Sequence, residues 1–158
     1  MTWARACVVR TMAAVITPDE RVSRFIMLAQ MDNSGADAAL AGFSRRLRTV
    51  PTSLRKTLTY DQGTEMSKHQ ELAKRLRMEI YFCDPHSPWQ RGSNENANGL
   101  LREYLPKGMD FSTITQAELN RIADSLNHRP RKILGFRTPA EVFAVLQPND
   151  IMGVALQA

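Results

Sequence analysis

The chain has 158 residues, of which 43% are hydrophobic and 23% are charged, a composition typical of one soluble globular domain with a real core. Its two cysteines, Cys7 and Cys83, have no metal-type or secreted-type spacing, which favours a reducing, cytoplasmic setting over a disulfide scaffold. No apolar run approaches the ~20 residues of a membrane span, so no membrane role is expected. The net charge of +5 favours a polyanionic partner without identifying it.

Predicted strands lie in the first part of the chain, and predicted helices crowd the second part. Apolar and β-branched runs predict strands at residues 7–16 (interrupted by Arg10), 24–31, 56–60 and 79–83. Periodicity and cap chemistry predict helices at residues 36–47, 69–77, 93–105, 115–127 and 139–146. Thr115 and Glu118 have the spacing of a capping box. Alternating strands and helices predict an α/β fold, with a mixed sheet flanked by helices.

Asp61 lies where a predicted strand ends and a turn begins, in the run KTLTYDQGTE at residues 56–65. A side chain at this position emerges at the rim of the sheet, where ligands of α/β sheets bind. Gly63 then lets the backbone turn away without crowding a ligand. An Asp before a Gly-containing turn is also common as a turn residue. Taken alone, this segment favours the turn role.

Glu95 lies in the first turn of a predicted helix, after a loop rich in proline, glycine, amide and ring residues (DPHSPWQRGSNEN, residues 84–96). On a helical wheel its polar face also carries Arg91, Asn98, Gly99 and Arg102, opposite Ala97, Leu100, Leu101 and Tyr104. Glu95 could simply complement the helix dipole on a solvated face. That role leaves the composition of the loop unexplained, and the loop has the character of a contact surface.

Three segments resemble the catalytic core of DDE transposases, the retroviral-integrase-like group, and in particular the IS30 family of insertion sequences. They are LTYDQGTE (58–65), IYFCDPHSPWQRGSNENANGLLREYLPKG (80–108) and NHRPRKILGFRTPAEVF (127–143), within a resemblance that covers residues 21–143. The resemblance implies an RNase H-like fold and a transposase that joins DNA by phosphoryl transfer. It also implies that Asp61 is the second acid of a metal-binding triad and Glu95 the third.

The same resemblance implies a site for two Mg²⁺ or Mn²⁺ ions, because hard cations prefer carboxylate oxygens. One ion would polarise the incoming oxygen and the other would steady the departing one. The implied partners are DNA (the element ends and the target) and other transposase subunits, either copies of this chain or a full-length transposase.

Several polar, basic and ring residues are candidate DNA contacts. They are Trp89, Arg91, Asn94, Asn98, Arg102, Arg129, Arg131 and Lys132. Trp89 suits a core position as well as a stacking platform. Runs of basic residues are usually solvated faces, but the resemblance places the Pro-broken loop around Arg131 near DNA. Phosphate contacts there would position DNA without reading its sequence.

The first acid of the family's triad, an Asp in a W-E-G-D-like run, has no counterpart here. It is expected near residues 4–6, where the sequence reads Trp3-Ala4-Arg5-Ala6, and no Asp or Glu precedes Asp19. This difference predicts a truncated or frameshifted copy, with the first strand missing or altered. Its parts would be a divergent segment (1–20), a partial catalytic core (21–146) and a tail (147–158).

Two functions follow from the missing acid. The first is an insertion-sequence transposase whose catalysis is impaired, and the alternative is a non-catalytic remnant that binds DNA or pairs with a full-length transposase. A chain that lacked a central strand would also expose strand edges and fold poorly.

Overall fold

Five strands form one mixed sheet in the computed structural model, in the order β3-β2-β1-β4-β5. β1 (Thr2–Val9), β2 (Ala13–Ile16) and β3 (Met27–Gln30) pair antiparallel in succession. β4 (Thr57–Tyr60) is parallel to β1, and β5 (Glu79–Phe82) is parallel to β4. The structure describes residues 2–9, 13–16, 23–31, 35–55, 57–60, 67–82, 92–106 and 114–147. The predicted α/β fold with a mixed sheet is confirmed.

Helices flank this sheet, and their order along the chain is the predicted one. They are α1 (Ala36–Leu47), α2 (His69–Leu76), α3 (Gly92–Leu101), α4 (Gln116–Asn127) and α5 (Pro139–Leu146). A short 3-10 helix, Lys132–Leu134, lies between α4 and α5. Within the described residues, no helix combines the length and the apolar character needed to cross a membrane.

The N-terminal residues differ from the prediction in two ways. The single strand predicted at residues 7–16 is wrong: β1 and β2 are separate strands that pair with each other, so Ala6 lies opposite Ile16. A missing central strand is also wrong, since β1 lies between β2 and β4 at the centre of the sheet. β1 has the apolar and β-branched residues that favour a strand. The missing first acid is not needed for the strand to form. The proposed division at residues 20 and 146 stays a prediction.

The two faces of the sheet are covered by different helices. Ala29 and Met31 pack into a core with residues of α1 and α2, whereas Ile26 and Leu28 pack into a second core with residues of α3 and α4. Successive strand residues point to opposite faces, which explains why the neighbours Leu28 and Ala29 belong to different cores. A third cluster lies around Phe143, whose ring stacks on Phe25 at 4.3 Å.

Side chains of α4 satisfy the outer edge of β3, which pairs with no further strand in the part of the chain that the structure describes. The Asn127 amide accepts from the Ile26 N–H and donates to the Ile26 carbonyl, both at 2.8 Å. The Gln116 amide accepts from the Gln30 N–H at 2.9 Å and donates to the Leu28 carbonyl at 3.0 Å. An edge with its backbone groups satisfied in this way offers little to a foreign strand. These bonds also fix α4 against the sheet.

Asn127→Leu tests this edge because it keeps the branched shape of the side chain but removes both hydrogen bonds to the buried Ile26 backbone. Each orphaned backbone group costs about 1–3 kcal/mol, so we expect the free energy of unfolding in urea to fall by about 2–6 kcal/mol. Arg121→Leu is the control, since Arg121 is an exposed polar residue on the same helix. Equal losses in the two variants would contradict the role of Asn127.

Candidate functional site

The backbone brings the two candidate acidic segments to the same strand. β4 ends at Tyr60, the residue before Asp61, and β4 pairs directly with β1. Glu95 is the fourth residue of α3, and α3 contacts β1. Asp61, Trp89 and Arg91 lie outside the described residues, as do the side chains of Glu95, Asn94 and Asn98. The described part of the chain therefore places the segments, and the metal-ligand role of both acids stays a prediction.

The register between β1 and β4 is described up to the last residue of β4. Arg5 pairs with Thr59 and Ala6 pairs with Tyr60, the residue before Asp61 in the sequence. No Asp or Glu is present in β1. This strand therefore supplies no third carboxylate to the candidate acids Asp61 and Glu95. Among the residues that the structure describes, no group of three or more His, Cys, Asp or Glu side chains could hold a metal.

α3 presents an apolar side to the core, as its sequence predicts. Ala97 and Leu101 are buried in the core that includes Ile26 and Leu28, whereas Gly99 and Arg102, which directly follows α3, are exposed. Tyr104 differs from the prediction: α3 ends at Leu101, and the ring of Tyr104 is exposed with its hydroxyl 2.9 Å from Ser125 Oγ. The buried face holds the helix of Glu95 in a fixed place, and exposed Arg102 stays a candidate DNA contact.

The residues after α4 form a basic loop, defined here as residues 128–138. This stretch has four Lys or Arg residues and no Asp or Glu. Arg129 forms an ion pair with Glu103 at 2.9 Å, which links the basic loop to the turn after α3. Glu95 and Arg102 are seven positions apart, or roughly 10 Å along a helix axis. The basic loop thus lies at the end of the helix that carries Glu95.

The three predicted basic contacts of this loop have different surroundings. Arg131 is half-buried, and its Nη2 donates to the Leu126 carbonyl at 3.2 Å. Burial lowers the pKa of Arg131, the neighbouring Arg129 lowers it further, and Glu103 opposes the change. A guanidinium nevertheless stays charged in proteins. Arg131 anchors the loop to the end of α4, whereas Lys132 is exposed and Arg129 shares its charge with Glu103.

Sequence reasoning missed Glu103 and the anchoring role of Arg131. The partners of the Glu103–Arg129 pair are 26 positions apart, and no local pattern connects them. The end of the loop could have been read from the sequence: Thr138 and Glu141 have the same spacing as the predicted capping box of Thr115, and the structure shows both boxes.

The chain is similar in sequence to several transposases. It is 55% identical over 130 residues to the transposase for insertion sequence element IS1086 of Cupriavidus metallidurans, covering 82% of this chain and 38% of that one. It is 41% identical to the transposase InsI for IS30A of Escherichia coli (81% and 33% covered) and to the transposase for IS4351 of Bacteroides fragilis (87% and 42%). The chain thus spans about a third to two fifths of these relatives' lengths. No family model matches it.

Solved structures show the fold. The catalytic core domain of BIV integrase matches with a TM-score of 0.71 at 18% identity, covering 92% of this chain and 96% of that one. A chain of the simian T-cell lymphotropic virus intasome matches with a TM-score of 0.68 at 13% identity, covering 93% and 55%. The RNase H-like fold implied by the sequence is confirmed.

The capping box at the end of the basic loop predicts a pH dependence of stability. The Thr138 N–H donates to Glu141 Oε2 at 2.7 Å, and this hydrogen bond is the main cause that lowers the pKa of Glu141. Because the folded pKa lies below the unfolded value of about 4.3, the contribution is complete above that pH and is lost as the pH falls through the folded pKa.

We therefore expect Glu141→Gln to lose less stability than wild type between neutral and acidic pH, measured by urea unfolding at each pH. Glu118→Gln makes the same change in the capping box of α4 and should remove a similar part of the pH dependence of stability. Effects at such separate sites add, so the double variant should show the sum. A wild-type pH dependence in Glu141→Gln would contradict the assignment.

Proposed function

This chain is a homologue of the IS30-family insertion-sequence transposases and has the fold of an integrase catalytic core, and we propose that it is the DNA-acting core of such a transposase. One observation carries the proposal: the end of β4, before Asp61, and helix α3, which carries Glu95, both lie next to β1. In this proposal Asp61 and Glu95 hold Mg²⁺ or Mn²⁺, and the DNA is the element end and the target.

Each part of the site has a chemical task in this proposal. A divalent ion, when bound, supplies a Lewis acid for the phosphodiester oxygens. Asp61 and Glu95 supply the hard oxygen ligands that such an ion prefers. The polar side of α3 and the basic loop hold the phosphates of DNA, with Arg102 and Lys132 exposed for that contact. Trp89, Arg91, Asn94 and Asn98 are proposed to contact DNA along the same side, together with Arg129 and Arg131.

We further propose that the core is catalytically impaired. The support is that β1 contains no Asp or Glu and that Ala6, in the run where the resemblance leads us to expect the first acid, pairs with Tyr60, the residue before Asp61. Loss of transition-state electrostatics of this kind usually costs orders of magnitude in rate. The same observation favours a second function, in which the chain binds DNA or pairs with further transposase subunits without cutting.

DNA binding should depend on the exposed basic residues and on salt. We expect the double variant Arg102→Ala/Lys132→Ala to bind duplex DNA more weakly, and the slope of log affinity against log salt to fall by about 1 for each lost phosphate contact, measured by fluorescence anisotropy. Lys74→Ala, at an exposed lysine on α2, is the matched control. A salt slope unchanged in the double variant would contradict the proposed DNA face.

Nicking of supercoiled DNA in Mn²⁺ tests the missing acid. Ala6→Asp restores a carboxylate in the run Trp3-Ala4-Arg5-Ala6, at the residue that pairs with Tyr60 at the end of β4, whereas Thr2→Asp puts one at the other end of β1, where Thr2 pairs with Thr57. We expect wild type to nick slowly or not at all, and Ala6→Asp to nick at least about 100-fold faster, as restored electrostatic stabilisation should.

The added activity should be specific to position and to Asp61. Thr2→Asp should stay at the wild-type rate, and Asp61→Asn in the Ala6→Asp background should return the rate to that of wild type. If wild type nicked DNA fast and Asp61→Asn nicked equally fast, both claims would be contradicted: that Asp61 is a metal ligand, and that the missing first acid impairs catalysis.

A further inference from the structure

Two large apolar side chains are exposed within the basic loop. Ile133 and Phe136 are each 71% exposed, although Leu134, which directly follows Ile133, is buried at 8%. Isolated exposed apolar residues are common on protein surfaces. Here two of them lie within four positions, next to Lys132 and Arg137, which are also exposed. We call residues 131–137 the apolar tip.

The backbone of the apolar tip is closed by its own hydrogen bonds. The Phe136 N–H donates to the Arg131 carbonyl at 2.9 Å, and the Arg131 N–H donates to the Arg137 carbonyl at 3.0 Å. Leu134 anchors the tip in the protein, and the Arg131 guanidinium ties it to the Leu126 carbonyl of α4. The exposed side chains are therefore presented on a fixed support and not on a loose loop.

Phe136 has a backbone conformation that disfavours its side chain. Its φ is +66°, in the left-handed region, directly after Gly135 at +63°. Glycine adopts this region without steric cost, and Asn and Asp tolerate it, but a bulky residue there is an outlier. Neither the turn nor the core requires an aromatic ring at this position, because the ring is exposed. A function outside the fold would explain both the strain and the exposure.

The surroundings of Phe136 indicate what the ring contacts. A surface with cations alone would suit binding of phosphates, and a surface with apolar side chains alone would suit contact with another protein. A ring with cations on both sides, in a stretch that lacks acids, matches an unpaired nucleotide, in which a base offers its flat face next to a phosphate. A paired base inside a duplex is already stacked on its neighbours, so the ring would act where DNA is unpaired or opened.

We propose that Phe136 stacks on an unpaired DNA base, with Ile133 as a second apolar contact and with Lys132 and Arg137 on the adjoining phosphates. This inference rests on the proposed DNA-acting function and adds to it a preference for DNA that carries an unpaired base. The tip also lies next to the ion pair of Arg129 and Glu103, at the end of the helix that carries Glu95.

The test compares two DNA probes by fluorescence anisotropy: a fully paired duplex and the same duplex with one unpaired base. Stacking of one base on an aromatic side chain is worth about 1–3 kcal/mol, which corresponds to about a 5- to 150-fold difference in affinity. Wild type should prefer the probe with the unpaired base by a factor in that range. Phe136→Ala should lose the preference and bind the paired duplex as wild type does, whereas Phe136→Tyr should keep it.

Phe136→Gly separates this role from a role in folding. Glycine relieves the left-handed strain but adds entropy to the unfolded chain, so we expect the melting temperature to stay within about 4 °C of wild type while the preference for the unpaired base is lost. A larger fall in melting temperature in Phe136→Gly would show that the ring supports the fold, and would overturn the inference.

The outcomes also separate this inference from the proposed function. DNA binding without a preference, or a preference that Phe136→Ala retains, would overturn the role of Phe136 and leave the DNA-acting core intact. No binding to either probe would contradict the proposed function itself, and this inference with it. If Phe136→Ala instead turned a dimer into a monomer in sedimentation and left DNA binding unchanged, the tip would be a contact between copies of the chain.

Discussion

The parallel pairing of β1 with β4 is the constraint on which the candidate site depends. It sets Ala6 against Tyr60, the residue before Asp61 in the sequence. α3 contacts the same strand and carries Glu95 in its first turn. The proposed metal site draws its two acids from the segments next to β1, and β1 itself supplies no carboxylate. The sequence of β1 is suited to form a strand, but it contains no carboxylate that could bind a metal.

A second set of contacts places the DNA-facing part of the molecule. The amides of Asn127 and Gln116 bind the free edge of β3 and fix α4 against the sheet. The basic loop begins where α4 ends, and Arg131 binds back to the last turn of that helix. The contacts of α4 with β3 therefore fix the position of the basic loop, and the basic loop in turn fixes the position of the apolar tip with Phe136.

Local chemistry made much of the fold predictable. The bounds of α1 and the capping box of α4 follow from cap residues and helical periodicity, and both were confirmed. The end of α3 was wrong by four residues because the chain continues in turns after Leu101 without a local stop. The hydrogen bonds between Asn127 and Ile26 join residues 101 positions apart, so no window of sequence reveals them. For the site, the sequence proposed Asp61 and Glu95, but only the register points to Ala6.

The most direct test of the central claim, that Asp61 and Glu95 share one metal site beside β1, is the melting temperature of the chain with and without millimolar Mn²⁺. A ligand that binds only the folded state raises this temperature. The account predicts a rise in wild type that Asp61→Asn and Glu95→Gln each remove. No rise in wild type, or an equal rise in all three proteins, would contradict it.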